Sequence, residues 1–129
     1  LSPEIAADIM QDANCDGINI SNAVPWKDIS PEIREMFFHT TESPLEKFGG
    51  GAVSGKYLLP LVVEWIRQFR HQHQGIAKPI IAGGGILRAS DIDSLVEIGA
   101  TAISPGTVSI LRPWNLKSII ARANKLLKK

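Results

Sequence analysis

The strongest constraint on the fold is the alternation of short apolar segments with longer amphipathic ones. Residues 18–21, 78–82 and 102–104 are rich in Ile and Ala and are bounded by glycine or proline, which predicts short buried strands. Strands that are apolar on both faces are typical of parallel sheets covered by helices. The order α-β-α-β-α-β-α therefore predicts an α/β fold built on a parallel sheet.

Four amphipathic helices are predicted around these strands. The first begins at Ser2-Pro3, a serine N-cap followed by proline in the first turn. The third begins at Ser90, which forms a capping box with Asp93. Apolar residues at helical spacing define the faces expected to pack on the sheet. In chain order these are Ile5, Ile9 and Met10; Leu58, Val62, Ile66 and Phe69; Ile92, Leu95 and Val96; and Leu116, Ile119, Ile120, Ala123 and Leu127.

The chain is too short to close a barrel from these units. A (β/α)8 barrel takes about 250 residues, whereas this chain has 129. Three strands alone would leave two unpaired sheet edges, which is a liability for a folded protein. We therefore expect residues 1–129 to be one segment of a larger barrel, completed elsewhere or by another chain. Residues 23–50 are rich in Pro, Ser and Thr and predict a long active-site loop.

Charge and cysteine content exclude several classes of protein. The chain has 14 basic and 13 acidic residues, and this formal net charge of +1 provides no field to attract nucleic acid or a membrane. Cys15 is the single cysteine, so no internal disulfide can form and a reducing, cytoplasmic compartment is expected. No apolar run approaches the ~20 residues of a membrane span, and no signal peptide is evident.

Glycines follow two consecutive predicted strands. Gly84 and Gly85 come after the second strand, and Gly106 and Thr107 come after the third. Backbone N–H groups between a strand and a helix attract anions, most often phosphate, and the last two strands of (β/α)8 barrels commonly carry such a site. The pair therefore predicts a phosphate site. The alternative is that both are tight turns and nothing more.

A third glycine cluster at 49–56 resembles a phosphate loop of nucleotide triphosphatases. Gly50, Gly55 and Lys56 have the required spacing, but Tyr57 stands where that motif has the hydroxyl that binds magnesium. The cluster also follows a long loop instead of a strand. We reject this interpretation.

Other polar residues are weaker candidates. Asn22 ends the first strand, where a side chain would point into the mouth of a barrel, although asparagine also favours turns. His71 and His73 lie two residues apart, a spacing that does not present two metal ligands on one helix face, and they are expected to be solvated. His39 has no evident partner, and the three tryptophans are expected to be packing residues. No metal site, catalytic triad or carboxylate pair is predicted.

Four segments together resemble the dihydroorotate dehydrogenase family. Residues 16–22 (Asp-Gly-Ile-Asn-Ile-Ser-Asn) resemble its strand 6 motif, and residues 51–56 are similar to its Gly-Gly-Leu-Ser-Gly turn, with Ala52 in place of the second glycine. Residues 80–91 resemble strand 7 with its turn, and residues 99–107 resemble the Gly-Ala…Gly-Thr segment of strand 8. The resemblance covers nearly the whole chain.

This resemblance implies the C-terminal half of a TIM (β/α)8 barrel that binds FMN. It also implies an oxidoreductase that oxidises a dihydropyrimidine, dihydroorotate, across its 5,6 bond in pyrimidine biosynthesis. Asn22 would bind the substrate. The flavin would be held by residues that the motifs carry over position by position: Ser21, Ser54, Gly55, Gly84, Gly85, Gly106 and Thr107.

Two departures modify this expectation. Ala23 stands where the family usually has Ser or Thr, so one substrate hydrogen bond is absent. The catalytic base and the flavin-contacting lysine of the family belong to its N-terminal half, so this chain is expected to be inactive alone. Its partner would be that missing half or a second copy of the chain. Two alternatives are a non-catalytic phosphate-binding half-barrel and another FMN barrel such as a 2-hydroxy-acid oxidase.

Overall fold

A computed structural model describes residues 1–20 and 23–127. The helices are α1 (Pro3–Gln11), α2 (Pro31–Phe38), α3 (Leu58–Gln72), α4 (Asp91–Glu97), α5 (Thr107–Leu111) and α6 (Leu116–Leu127). The strands are β1 (Ile18–Ile20), β2 (Val24–Pro25), β3 (Ala52–Val53), β4 (Ile80–Gly83) and β5 (Ala102–Ser104). In this part of the chain, no helix is both long and apolar enough to span a bilayer.

The predicted parallel sheet is confirmed. Its strand order is β1-β4-β5, and both pairings are parallel. Asn19 lies opposite Ile81, and Ile81 lies opposite Ala102, so these three residues form one row across the sheet. The carboxyl ends of the three strands consequently lie along one edge of the sheet.

The helices cover one side of this sheet and bury most of the predicted apolar residues. In α3, Leu58, Val62, Ile66 and Phe69 are all buried, because residues three or four apart lie on one face of a helix. In α1 the predicted burial was right for Met10 and wrong for Ile5 and Ile9. Ala6, Ala7 and Met10 face the core, whereas Ile5 and Ile9 are 53% and 46% exposed. The small alanines let α1 pack closely against α3, which periodicity of large apolar residues did not reveal.

The stretch predicted as an irregular loop at 23–50 is largely ordered. It contains α2 and two short 3-10 helices, and β2 pairs antiparallel with β3 at its base. It encloses a small separate core of Trp26, Ile29 and Val53, with Phe38 and Tyr57 packed against it. We call residues 24–53 the lobe. Ser30-Pro31 is the same N-cap signal as Ser2-Pro3, so α2 could have been predicted.

The predicted capping box at α4 is also wrong. The Ser90 side chain makes no capping hydrogen bond. Instead, the Asp91 carboxylate accepts hydrogen bonds from the N–H groups of Leu87 and Arg88, at 2.8 and 3.0 Å. Asp93 forms an ion pair with Arg122 of α6 at 2.7 Å. Helix α5, a short helix directly after Gly106, was not predicted from the sequence.

Candidate functional site

A cleft of about 860 Å³ lies at the carboxyl ends of the three parallel strands. Ligands of open α/β sheets bind at this edge, because the loops that follow the strands meet there. Five of the predicted cofactor residues line the cleft: Ser54, Gly55, Gly84, Gly106 and Thr107. The lining is completed by Asn19, Ser104, Ile110 and Leu111.

Gly84, Gly85 and Gly55 have the left-handed backbone that favours glycine. Their φ angles are 85°, 76° and 77°. Gly85 is also closely packed, since an added Cβ would lie 2.5 Å from the Leu59 nitrogen and 2.8 Å from the Gly55 carbonyl oxygen. Gly85 is buried and does not line the cleft. Its role in the structure is to bring the loop after β4 against the start of α3.

Gly106 differs from these three glycines. Its φ of −87° suits any residue, and an added Cβ would meet no atom within 4 Å. Neither the backbone nor the packing therefore requires glycine at this position. Gly106 lines the cleft and immediately precedes α5. The lack of a side chain at Gly106 leaves the backbone open to the cleft.

Hydroxyl groups connect the loops on either side of the cleft. The Ser54 Oγ lies 3.5 Å from the Thr107 Oγ1, so the turn before α3 and the turn before α5 meet there. Both hydroxyls can donate and accept hydrogen bonds. They lie beside Gly55 and Gly106, whose backbone is open to the cleft.

Among residues 1–20 and 23–127, the lining of the cleft carries no charged or titratable side chain. Any anion bound there would be held by backbone N–H groups and hydroxyls instead of lysine or arginine. The residues with shifted pKa values lie elsewhere. Burial lowers the pKa of Arg70, whose guanidinium donates hydrogen bonds to the carbonyls of Ile76, Lys78 and Gly99.

A second cavity of about 570 Å³ lies under the lobe and shares Asn19 with the cleft. Ala23, Asp28, Leu61 and Trp65 are among its lining residues, and most of its wall is apolar. Ser21 and Asn22, predicted to contact flavin and substrate, lie outside the described residues. Ala23, the departure from the family pattern, therefore faces this cavity instead of the glycine loops.

The remaining candidates are structural or exposed. His39 is exposed at the C-terminus of α2 with a φ of 55°, and His71 is exposed. His73 was wrongly predicted to be solvated, because its ring packs on Phe69 and its Nε2 is buried without a hydrogen-bond partner. Trp114 is 73% exposed, contrary to the packing role expected of it. Within 1–20 and 23–127, no group of three potential metal ligands occurs.

Four cleft residues were not predicted from the sequence. Asn19 and Ser104 lie on the strands themselves, and Ile110 and Leu111 lie on α5. A signal was available for Asn19, because asparagine is depleted in strands and here stands between two isoleucines. Nothing in the sequence marked Ile110 and Leu111, since α5 itself was missed.

The fold and the site together define a class of protein. It has parallel strands connected by helices, as in a (β/α)8 barrel, and a glycine-lined cleft at the carboxyl ends of the strands. Comparison with known proteins identifies the family. The sequence model for dihydroorotate dehydrogenase matches residues 2–127. This chain belongs to the dihydroorotate dehydrogenase family.

Individual relatives agree with this assignment. The chain is 33% identical over 118 residues to the catalytic subunit of dihydroorotate dehydrogenase B (NAD(+)) from Endomicrobium trichonymphae, covering 92% of this chain and 35% of that protein. It is 28% identical to the Anoxybacillus flavithermus subunit of the same name, covering 98% and 39%. The crystal structure of DHODH in complex with ferulenol from Eimeria tenella matches with a TM-score of 0.62 and 26% identity, covering 97% of this chain and 30% of that one. The chain thus spans roughly a third of the length of these relatives.

Proposed function

We propose that this chain is the flavin-anchoring part of an FMN-dependent dihydroorotate dehydrogenase. The observation that carries the proposal is Gly106, a glycine required neither by its backbone angles nor by packing, which lines the cleft at the strand ends. FMN, when bound, would supply the redox chemistry of the reaction. The proposed reaction removes two hydrogens across the 5,6 bond of dihydroorotate to form orotate.

The residues present fit such a group. The backbone at Gly84 and Gly106 and the hydroxyls of Thr107 and Ser54 can hold a phosphate by hydrogen bonds, as amides preceding a helix commonly do. Gly55 can lie against the bulky part of the ligand because it has no side chain. Gly85 would support this site from behind the loop by its contact with Leu59. Ile110 and Leu111 provide an apolar wall.

Substrate and base are assigned by the family resemblance. We propose that Asn22 binds the pyrimidine and that Ser21 lies beside the flavin. The residues that line the cleft include no carboxylate, histidine or thiol that could remove a proton. The catalytic base is therefore proposed to come from another part of the enzyme. Because Ala23 removes one substrate hydrogen bond expected in the family, the identity of the preferred dihydropyrimidine is to be measured.

The proposed partner is the remainder of the barrel. Among the described residues, β1 and β5 each pair only with β4, so both outer edges of the sheet are open. Exposed apolar side chains lie on α1 and around α5, at Ile5, Ile9, Ile110 and Trp114. The remaining part of the barrel would cover them in the complete enzyme, which we place in the cytoplasm. The alternative of a non-catalytic half-barrel is not favoured by the family assignment.

Gly106→Val tests the phosphate site. We expect FMN affinity to fall at least tenfold, because the new side chain would project into the cleft, while riboflavin affinity falls less. Gly75→Val is the matched control, since an added Cβ at Gly75 also meets no atom within 4 Å. Titration of both flavins, followed by fluorescence quenching, measures the effect. Equal FMN affinity in Gly106→Val and wild type would contradict the proposal.

A further inference from the structure

The residue that neither packing nor the proposed phosphate site explains is Asn19. It stands in the middle of β1, flanked by Ile18 and Ile20, which both pack into the main core on the helical side. Side chains alternate along a strand, so Asn19 points to the opposite side. There it lines the cleft. The inward positions of barrel strands are typically filled by branched apolar residues, so an asparagine here has no packing rationale.

Its position is remote from the loop that follows β5. Asn19 lies in the row with Ile81 and Ala102, one position before the end of β1. The loops that carry Gly84 and Thr107 follow β4 and β5. Because β1 and β5 are two strand spacings apart, roughly 10 Å separates Asn19 from the loop after β5. A phosphate held at Thr107 is therefore out of reach of the Asn19 carboxamide.

Asn19 also lies where the two cavities meet, since it lines both the cleft and the cavity under the lobe. A ligand anchored by phosphate at β4 and β5 must extend across the sheet toward β1 to fill the cleft. The part that reaches Asn19 is then the end distal to the phosphate. A carboxamide offers two donors and an acceptor, which suits a ring edge bearing carbonyl and N–H groups.

We propose that Asn19 is a ligand-binding residue that hydrogen-bonds the polar ring edge of the flavin, at the end of the cleft opposite the phosphate. This inference rests on the proposed function. It differs from the phosphate site in one measurable respect: the contribution of Asn19 does not depend on the phosphate. Asn19 therefore contacts the ring end of the ligand, and Thr107 contacts its phosphate end.

The test compares FMN with riboflavin, which lacks the phosphate, in the purified complete enzyme, in which the remainder of the barrel is present. Asn19→Leu is expected to weaken both flavins equally, by about three- to tenfold, the range of one lost hydrogen bond. Thr107→Val is expected to weaken FMN binding and leave riboflavin binding unchanged.

Asn124→Leu, at an exposed position of α6, controls for the Asn-to-Leu change itself. Thermal unfolding of each variant checks folding, and Asn19→Asp, which loses the donors at nearly the same size, serves as a second variant.

The outcomes separate the two proposals. If wild type binds FMN and both Asn19 variants bind the two flavins as tightly as wild type, the role of Asn19 is refuted and the proposed function stands. A loss confined to FMN would likewise refute it, because the contact would then belong to the phosphate end. If wild type binds neither flavin, the proposed function fails and this inference fails with it.

Discussion

Two glycines that follow neighbouring strands differ in whether the structure requires them. Gly85 combines a φ of 76° with contacts to Leu59 and Gly55 that leave no room for a methyl group. Gly106 has an ordinary backbone and open space where a side chain would be. Sequence alone predicted both as phosphate ligands. The structure distinguishes Gly85, which the fold requires, from Gly106, which neither the backbone angles nor the packing requires.

Gly85→Ala and Gly106→Ala should therefore differ in stability. We expect Gly85→Ala to lower the free energy of unfolding by about 2–4 kcal/mol, from the left-handed backbone and the overpacking together. Gly106→Ala should change it by less than about 0.5 kcal/mol. Urea unfolding of the two variants beside wild type measures both values. Similar losses in the two variants would contradict the distinction.

At the scale of elements, the lobe is held together largely by one side chain. The Arg34 guanidinium donates hydrogen bonds to the carbonyls of Ile29, Thr41 and Lys27, at 2.8, 3.1 and 3.2 Å. It also lies over the Trp26 ring, 5.6 Å from the centroid. Trp26 in turn donates from its Nε1 to the Thr41 carbonyl. These contacts connect the segment before α2 with the segment after it.

Arg34→Met should loosen the lobe and leave the parallel sheet intact. The methionine keeps the apolar stem but removes the donors of three carbonyls, which we expect to cost about 1–3 kcal/mol locally. Hydrogen exchange should accelerate within 24–53 and stay unchanged in β4. Arg67→Met is the control, because Arg67 forms an exposed ion pair with Glu64, and such pairs contribute little. Equal protection of the lobe in both variants would show that Arg34 is dispensable.

At the scale of the whole molecule, we expect exposed carboxylates at two helix starts, in a turn and on α3 to make the fold less stable in acid. A backbone N–H at the helix N-terminus lowers the pKa of Glu4 and of Glu32, with the Ser2 and Ser30 hydroxyls adding to the effect. The Asn14 N–H lowers the pKa of Asp12. The Gln68 side chain lowers that of Glu64. A carboxylate with a lowered folded-state pKa contributes stability above its unfolded-state pKa, and this is lost as the pH falls through the folded value.

The melting temperature is therefore expected to stay flat from pH 8 to about pH 5 and to fall below about pH 4.5, near the unfolded-state pKa values of these groups. Thermal unfolding between pH 3 and pH 8 measures the profile. A combined Glu4→Gln and Glu32→Gln variant should show a shallower acid decline, because two of the lowered groups no longer titrate. An equally steep decline in that variant would locate the acid sensitivity elsewhere.

The sequence by itself determined the order of helices and parallel strands, the faces of α3 and α4, and the two turns that flank the cleft. These follow from local periodicity and from glycine and proline punctuation, which depend on near neighbours in the chain. It misjudged part of α1, where the small Ala6 and Ala7 are buried beside Met10 instead of Ile5 and Ile9, and it overlooked α2 and α5. Helix-start signals were present for α2, whereas α5 is too short for its periodicity to be visible.

Only the tertiary structure decided which candidate residues face one another. Ser54 meets Thr107 across 53 positions of sequence, Gly85 is placed behind the cleft by Leu59, and Asn19 enters the cleft because β1 pairs with β4. These placements depend on strand register and helix packing between distant segments. A local sequence pattern contains no information about such contacts. The positions of Asn19 and of the glycines along the cleft are therefore set by the tertiary structure alone.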